Sequence, residues 1–380
     1  MRPTATGLAI GLAVGYNIAN VGPVARLEAQ AYGVRLGLIG LLTTALFVTH
    51  LVMQIPGGRL VDRHGARALA AVALAIIAAG NAVALIAAWF PLGIVARLIA
   101  GVGTGIGFIA GSDYVRATVG TTTAQGLYGA AGVGGGGIAL VFVPLTTSVF
   151  DWRAPYATAL IAACLVLACL PFAPRDRRKG EVRRSASTPL LDIVRDRRLQ
   201  PLAIAHTSSF AFSVIIGNWT VSLLQDDGYG RRLGGAVAAL TLLGGFVTRP
   251  LGGRAFQRDP KRAAPAVAAS MLAGSAGTVL LLLDVPLGWR ILGAAGLGLA
   301  AGIPFAVAFS GAQAIRRDHP AAAIGFLNTC ATLVIAVGTP LVGATFSLPS
   351  DGRVGFAAVA ILWGLSSVAV RPSKLSAVTA

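Results

Sequence analysis

Twelve apolar runs of ~20 residues, separated by short charged connections, constrain this 380-residue chain more than any other feature. A helix of that length crosses a hydrocarbon core of roughly 30 Å. Inside lipid every backbone N–H and C=O must be satisfied within the chain, so runs of this kind fold as helices. We place them near residues 5–24, 36–56, 68–89, 91–112, 123–146, 154–173, 200–224, 232–251, 264–283, 287–312, 321–345 and 354–371. Only 12% of residues are charged, against about 25% in soluble domains. The first run continues through Gly, Tyr and Asn without a cleavage pattern and is expected to stay as a span.

The net charge of +17 would suggest nucleic acid in a soluble protein, but its distribution points elsewhere. Summed over alternate connections, one side carries +15 and the other +1, with Arg97 inside a span making up the total. Such asymmetry predicts both termini and the central connection in the cytoplasm, a cell-membrane location, and a basic surface suited to anionic lipid rather than nucleic acid. Cys164, Cys169 and Cys330 lie in apolar runs and lack the spacing of a zinc site. No metal or other cofactor is expected.

Between the second and third runs, Gly57 to Arg67 reads Gly-Gly-Arg-Leu-Val-Asp-Arg-His-Gly-Ala-Arg, expected as a short charged loop closing a helical hairpin. Adding 195 carries Gly57, Gly58, Arg59, Arg63 and Arg67 onto Gly252, Gly253, Arg254, Arg258 and Arg262. The same offset carries Pro91, Leu92, Gly93, Gly101, Gly103 and Gly107 onto Pro286, Leu287, Gly288, Gly296, Gly298 and Gly302. One ungapped offset through a charged connection and the next run indicates two parallel homologous halves.

The pattern Gly-x-Leu-x-Asp-Arg-x-Gly-x-Arg, with Gly58, Asp62, Arg63, Gly65 and Arg67, resembles the signature loop of the major facilitator superfamily of secondary transporters. Gly253 and Arg258 carry its copy. The resemblance implies an all-α integral membrane protein of twelve transmembrane helices in two pseudo-symmetric six-helix bundles, residues 1–173 and 200–380, joined by a cytoplasmic linker at 174–199. It assigns Asp62 a latch between the halves, beside a helix start such as Asp318-His319-Pro320, and makes Asp113 a partner for Arg67 or Arg63. It further implies a monomer moving a small-molecule substrate by alternating access, with protons or a counter-anion as coupling species.

Polar residues inside the runs are the site candidates, since facing lipid would be costly for them. Tyr16, Asn17 and Asn20 in the first run are open to interhelical hydrogen bonding or substrate contact. His50 and Gln54 are four apart and share a helix face, with His50 readable either as a proton relay or as a neutral hydrogen-bonded ring. Arg97, replaced by Leu292 in the repeat, is readable as a functional buried charge or as snorkelling to the outer face. The second half adds His206, Asn218, Trp219, Gln313 and Asn328. The fifth run, Gly126 to Pro144, is so rich in glycine that it needs a close-packed neighbour. It loosely resembles the Gly-rich signature of nitrate/nitrite porters, without that signature's asparagine and glutamine.

Arg249 followed by Gly252-Gly253 resembles the anion-transporting branches, where an eighth-helix arginine contacts substrate; the bland alternative is a mark of the cytoplasmic edge. The nitrate branch pairs it with a second arginine, and here that position is Gln54. No acid is read in the middle of any run, which disfavours cation antiport. Scattered His50, His64, His206 and His319 form no catalytic cluster, so no enzyme is expected. The expected function is secondary transport of a small inorganic or organic anion bound by Arg249 and Arg97, with efflux of hydrophobic compounds as the rival.

Overall fold

The computed structural model describes residues 2–176, 190–258, 262–316 and 320–370. Its regular elements are helices, entered at proline where the missing N–H costs nothing and left at glycine where the chain must turn. Helix α1 (Pro3–Ala19) passes through a single 3-10 turn at Gly22–Val24 into α2 (Ala25–Tyr32), which ends at Gly33 with φ 65°. Next come α3 (Leu36–Val52), α4 (Gln54–His64), α5 (Ala66–Ala84), α6 (Phe90–Thr118), α7 (Thr122–Phe150) and α8 (Ala154–Cys169). A short α9 (Leu190–Arg195) precedes α10 (Gln200–Asp226), α11 (Arg231–Arg258), α12 (Ala263–Leu282), α13 (Leu287–Ile315), α14 (Pro320–Ala344) and α15 (Arg353–Ala369). Nine segments among the described residues are long and apolar enough to cross a membrane, one of them holding both α7 and α8. Two shorter apolar helices, Leu36–Val52 and Arg353–Val368, accompany them.

The expected signature loop is mostly helix. Residues 54–64 form α4, and the chain turns only at Gly65, with φ 88° and ψ 150°. Arg63 and His64 occupy the last turn of α4, where positive charge favours the helix dipole. Glycine at 57 and 58 weakens a helix without breaking it, so the charged stretch extends the second span rather than leaving it.

Adding 195 to the first residues of α3, α5, α6 and α7 lands within three residues of the first residues of α11, α12, α13 and α14. Packing repeats with the same offset. The pairs α1·α7, α1·α6, α3·α6, α5·α6 and α5·α8 are matched by α10·α14, α10·α13, α11·α13, α12·α13 and α12·α15. Two further pairs, α7·α11 and α3·α14, join the sets and exchange under the same offset, as a twofold relation requires.

Glycine makes these contacts close. A Cβ at Gly15 would sit 1.8 Å from the Gly132 carbonyl oxygen, and one at Gly135 would sit 2.2 Å from that of Leu12, so α1 and α7 meet backbone to backbone. The other face of α7 receives Leu243 at Gly137 and Phe246 at Gly134, both from α11. The α3·α14 seam closes at Gly40 on Pro340 and Gly37 on Ala344. At the α2 end of the molecule an Arg26–Asp226 ion pair joins α2 to α10. At the opposite end Arg67 donates to the Ala173 carbonyl (2.6 Å) and Asp176 accepts from the Ala66 N–H (2.6 Å).

Candidate substrate site

Arg249 lies in α11, on the α7·α11 seam, and is 5% exposed. Its Nη1 donates to the Gly129 carbonyl of α7 (2.9 Å), while its Nε has no hydrogen-bond partner. The guanidinium stacks over the Phe305 ring at 3.9 Å, with Phe210 at 5.6 Å. These are cation–π distances that hold the plane without neutralising it. His206 of α10 stands beside the same rings, 5.5 Å from Phe305 and 4.9 Å from Phe309 between centroids. Its Nε2 shares a hydrogen bond with Asn328 Oδ1 (3.0 Å), and its Nδ1 is buried without a partner. Four helices, α10, α11, α13 and α14, thus bring Arg249, His206, Asn328 and three phenylalanines together, with α7 adding the Gly129 carbonyl. Among the described residues no carboxylate pairs with Arg249.

A second polar group lies on the other side of α7. His50 Nδ1 is 3.1 Å from Thr104 Oγ1 and Nε2 is 2.9 Å from the Gln54 amide nitrogen. The shared face expected for His50 and Gln54 is therefore a hydrogen bond. A neutral ring with its proton on Nδ1 fits: Nε2 accepts from Gln54, Nδ1 donates to Thr104, and Thr104 donates to the Gly101 carbonyl. Phe108 bridges the ring to Tyr128, the neighbour of Gly129.

Arg97 is 1% exposed, so it does not snorkel. It donates to the Leu42 carbonyl, to Asn20 Oδ1 and to the Asn17 carbonyl at 3.3, 3.2 and 2.7 Å. Asn17 Oδ1 accepts from Asn81 (3.0 Å) and Tyr16 donates to Thr158 (2.9 Å). These residues interlock α1, α3, α5, α6 and α8, and among the described residues Arg97 and Arg249 share no hydrogen-bond partner.

The connection expected after the first run holds a partly buried helix instead, and with it an enclosed acid. Glu28 is 0% exposed, neither carboxyl oxygen has a hydrogen-bond partner, and the charge of Arg97 and the Tyr156 hydroxyl face it. Residues 25–32 form α2 where their charge suggests an outer connection. Its signal was nonetheless present: Ala25, Glu28, Ala29 and Tyr32 recur at helical spacing, and all four are buried.

Asn218 and Trp219 sit elsewhere on the seam. Trp219 donates to the Thr339 carbonyl (2.8 Å), Asn218 packs against Gly22, and the gap they line measures about 10 Å³, too small for a solute. At the α4 end the expected partnership of Asp113 with Arg67 or Arg63 is not formed. Asp113 pairs with Arg116 one turn on, while Arg67 reaches the Ala173 carbonyl across the α5·α8 contact. Gly58 meets nothing within 4 Å at its Cβ position. The side chains of Asp62 and Arg258, the environment of Gly253, and Asp318 with the latch expected there lie outside the described residues.

A polytopic helical protein with cationic and hydrogen-bonding groups concentrated along a seam between repeated helix sets belongs to the class of membrane carriers. The sequence matches the Major Facilitator Superfamily profile across residues 7–339, and the chain belongs to that family. It is a multi-pass membrane protein, and its family's activity is secondary transport. Comparison with curated proteins finds no match.

Proposed function

We propose that the protein carries a small inorganic or organic anion by alternating access, and that Arg249 is the group that receives it. One observation carries this reading: a buried guanidinium with an unpartnered Nε and no carboxylate beside it among the described residues. A cation held in so poorly screened a place favours a negative partner. His206 and Asn328 add hydrogen-bonding capacity, and the half-buried phenylalanines add apolar contact. In this arrangement twelve spans form two bundles, residues 1–173 and 200–380, joined through residues 174–199; the exchange-related seams support the twofold. The charge asymmetry supports cytoplasmic termini in a cell membrane, and the chain acts as a monomer. Arg97, Asn17 and Tyr16 serve the anion from behind, by holding the first bundle rigid. Glu28, enclosed beside Arg97, is the group that takes up a coupling proton, because an unpaired buried carboxyl is matched by a cation or neutralised by a proton.

The cluster of Phe210, Phe305 and Phe309 around His206 favours a second reading, efflux of hydrophobic compounds. Reconstitution in liposomes separates the two. Labelled small anions are expected to enter and lipophilic drugs are not. Arg249→Gln is expected to cut anion flux roughly tenfold to a hundredfold, the range for one charge-assisted hydrogen bond. Anion flux unchanged by that substitution rejects the assignment.

A further inference from the structure

Away from the seam, at the α4 end, a groove of about 610 Å³ opens between the start of α5 and the end of α8. Its rim carries His64, Arg67, Arg175 and Asp176. Its wall toward the apolar zone is built from Ala71, Leu167 and Leu170. Among the described residues that line it, Asp176 is the single acid, and it caps α5 by accepting the Ala66 N–H. Arg67 uses one N–H on the Ala173 carbonyl, which fixes its guanidinium at the groove. Two arginines therefore stand at the mouth of an apolar slot against one carboxylate, so the described rim is net positive.

The apolar side continues outward. Leu165 and Phe172 on α8 and its 3-10 extension are 63% and 76% exposed, and Val72 on α5 is 48% exposed. In a membrane-spanning chain such surface faces lipid, while arginines at helix ends sit at headgroup depth. Cationic rim, slot and lipid-facing flank follow one another in the order of a phospholipid's own parts: phosphate, glycerol, acyl chain.

We propose that this groove is a binding site for one anionic glycerophospholipid, its phosphate held by Arg67 and Arg175 with His64 at the edge, and its acyl chain laid along Leu167 and Leu170. The site locks α5 against α8 and the chain that follows α8. It is independent of the cargo reading, since it shares no residue with the Arg249 cluster.

Native mass spectrometry of the full-length protein in detergent tests it, with phosphatidylglycerol and phosphatidylcholine of matched chains as probes. Phosphatidylglycerol is expected to bind in preference at a stoichiometry of one. Arg175→Gln is expected to weaken that binding about fivefold, the effect of one basic residue at an anionic headgroup. Arg175→Lys is expected to retain most of it, and Arg175→Gln is expected to leave phosphatidylcholine binding unchanged. Because Arg175 is exposed, the neutral variant is expected to fold, which its unaltered melting in phosphatidylcholine checks. Equal binding of the two lipids overturns the proposal, as does phosphatidylglycerol binding indifferent to Arg175→Gln. Displacement of phosphatidylglycerol by equimolar inorganic phosphate also overturns it, since the site would then belong to a free ion.

Discussion

Arg97→Gln is expected to lower stability by about 3 kcal/mol or more, since three buried acceptors lose their charged donor at about 1–3 kcal/mol each. The substitution takes donors from the Leu42 and Asn17 carbonyls and from Asn20 Oδ1, and it leaves Glu28 enclosed without a cation. Glu28→Gln alone is expected to cost less, because Arg97 keeps all three of those acceptors. The double variant, Arg97→Gln with Glu28→Gln, is expected to regain a large part of the loss, because the enclosed charge is gone. Thermal unfolding of the four proteins in detergent gives the cycle. Additive effects at the two positions would show that the charges do not interact.

Gly15→Ala is expected to be nearly as damaging, at the upper end of the roughly 1–3 kcal/mol range for overpacking or beyond it. The added methyl would lie 1.8 Å from the Gly132 carbonyl oxygen and 2.6 Å from its carbon, both backbone atoms that no rotamer change can move. Helix α1 would have to leave α7, and α7 also forms the seam with α11. Gly126→Ala supplies the contrast on the same glycine-rich helix. Its Cβ would meet nothing within 4 Å, so that change is expected to be neutral or to gain up to about 1 kcal/mol from helix propensity. Melting temperatures of the two variants in one detergent compare them; equal shifts would show that the glycines act through composition rather than position.

The helices were legible because lipid leaves the backbone few alternatives: the run read at 264–283 is Ala263–Leu282, and that read at 154–173 is Ala154–Cys169 with one further 3-10 turn. The 195-residue offset was legible because a duplicated chain keeps its register where helices must still pack alike. The need of the fifth run for a tight neighbour was also readable, since so many glycines are tolerable only where backbones touch. Bringing His206 and Asn328 beside Arg249 was foreshadowed by polarity alone, as each is costly facing lipid.

What escaped the sequence has local causes. The signature stretch reads as a loop because charge and glycine suggest one, yet the hydrogen bonds of α4 continue until Gly65 turns the chain. The charge of Arg67 suggests an acid as its partner, whereas the backbone carbonyl of Ala173, past the 3-10 turn after α8, serves a guanidinium as well. Glu28 was assigned to a connection because charge density there outweighed the helical spacing of its buried neighbours. Phe305 and Phe309, which frame Arg249, could not be singled out among 15 phenylalanines without knowing which helices face the seam.

The hydrogen bond from Arg249 to the Gly129 carbonyl fastens the two repeats to each other with the very group proposed to hold the cargo. An arriving anion, met by the free Nε, therefore shares one guanidinium with a peptide oxygen. On the proposed reading, loading redirects that guanidinium, so recognition and the α7·α11 contact are tied through one side chain.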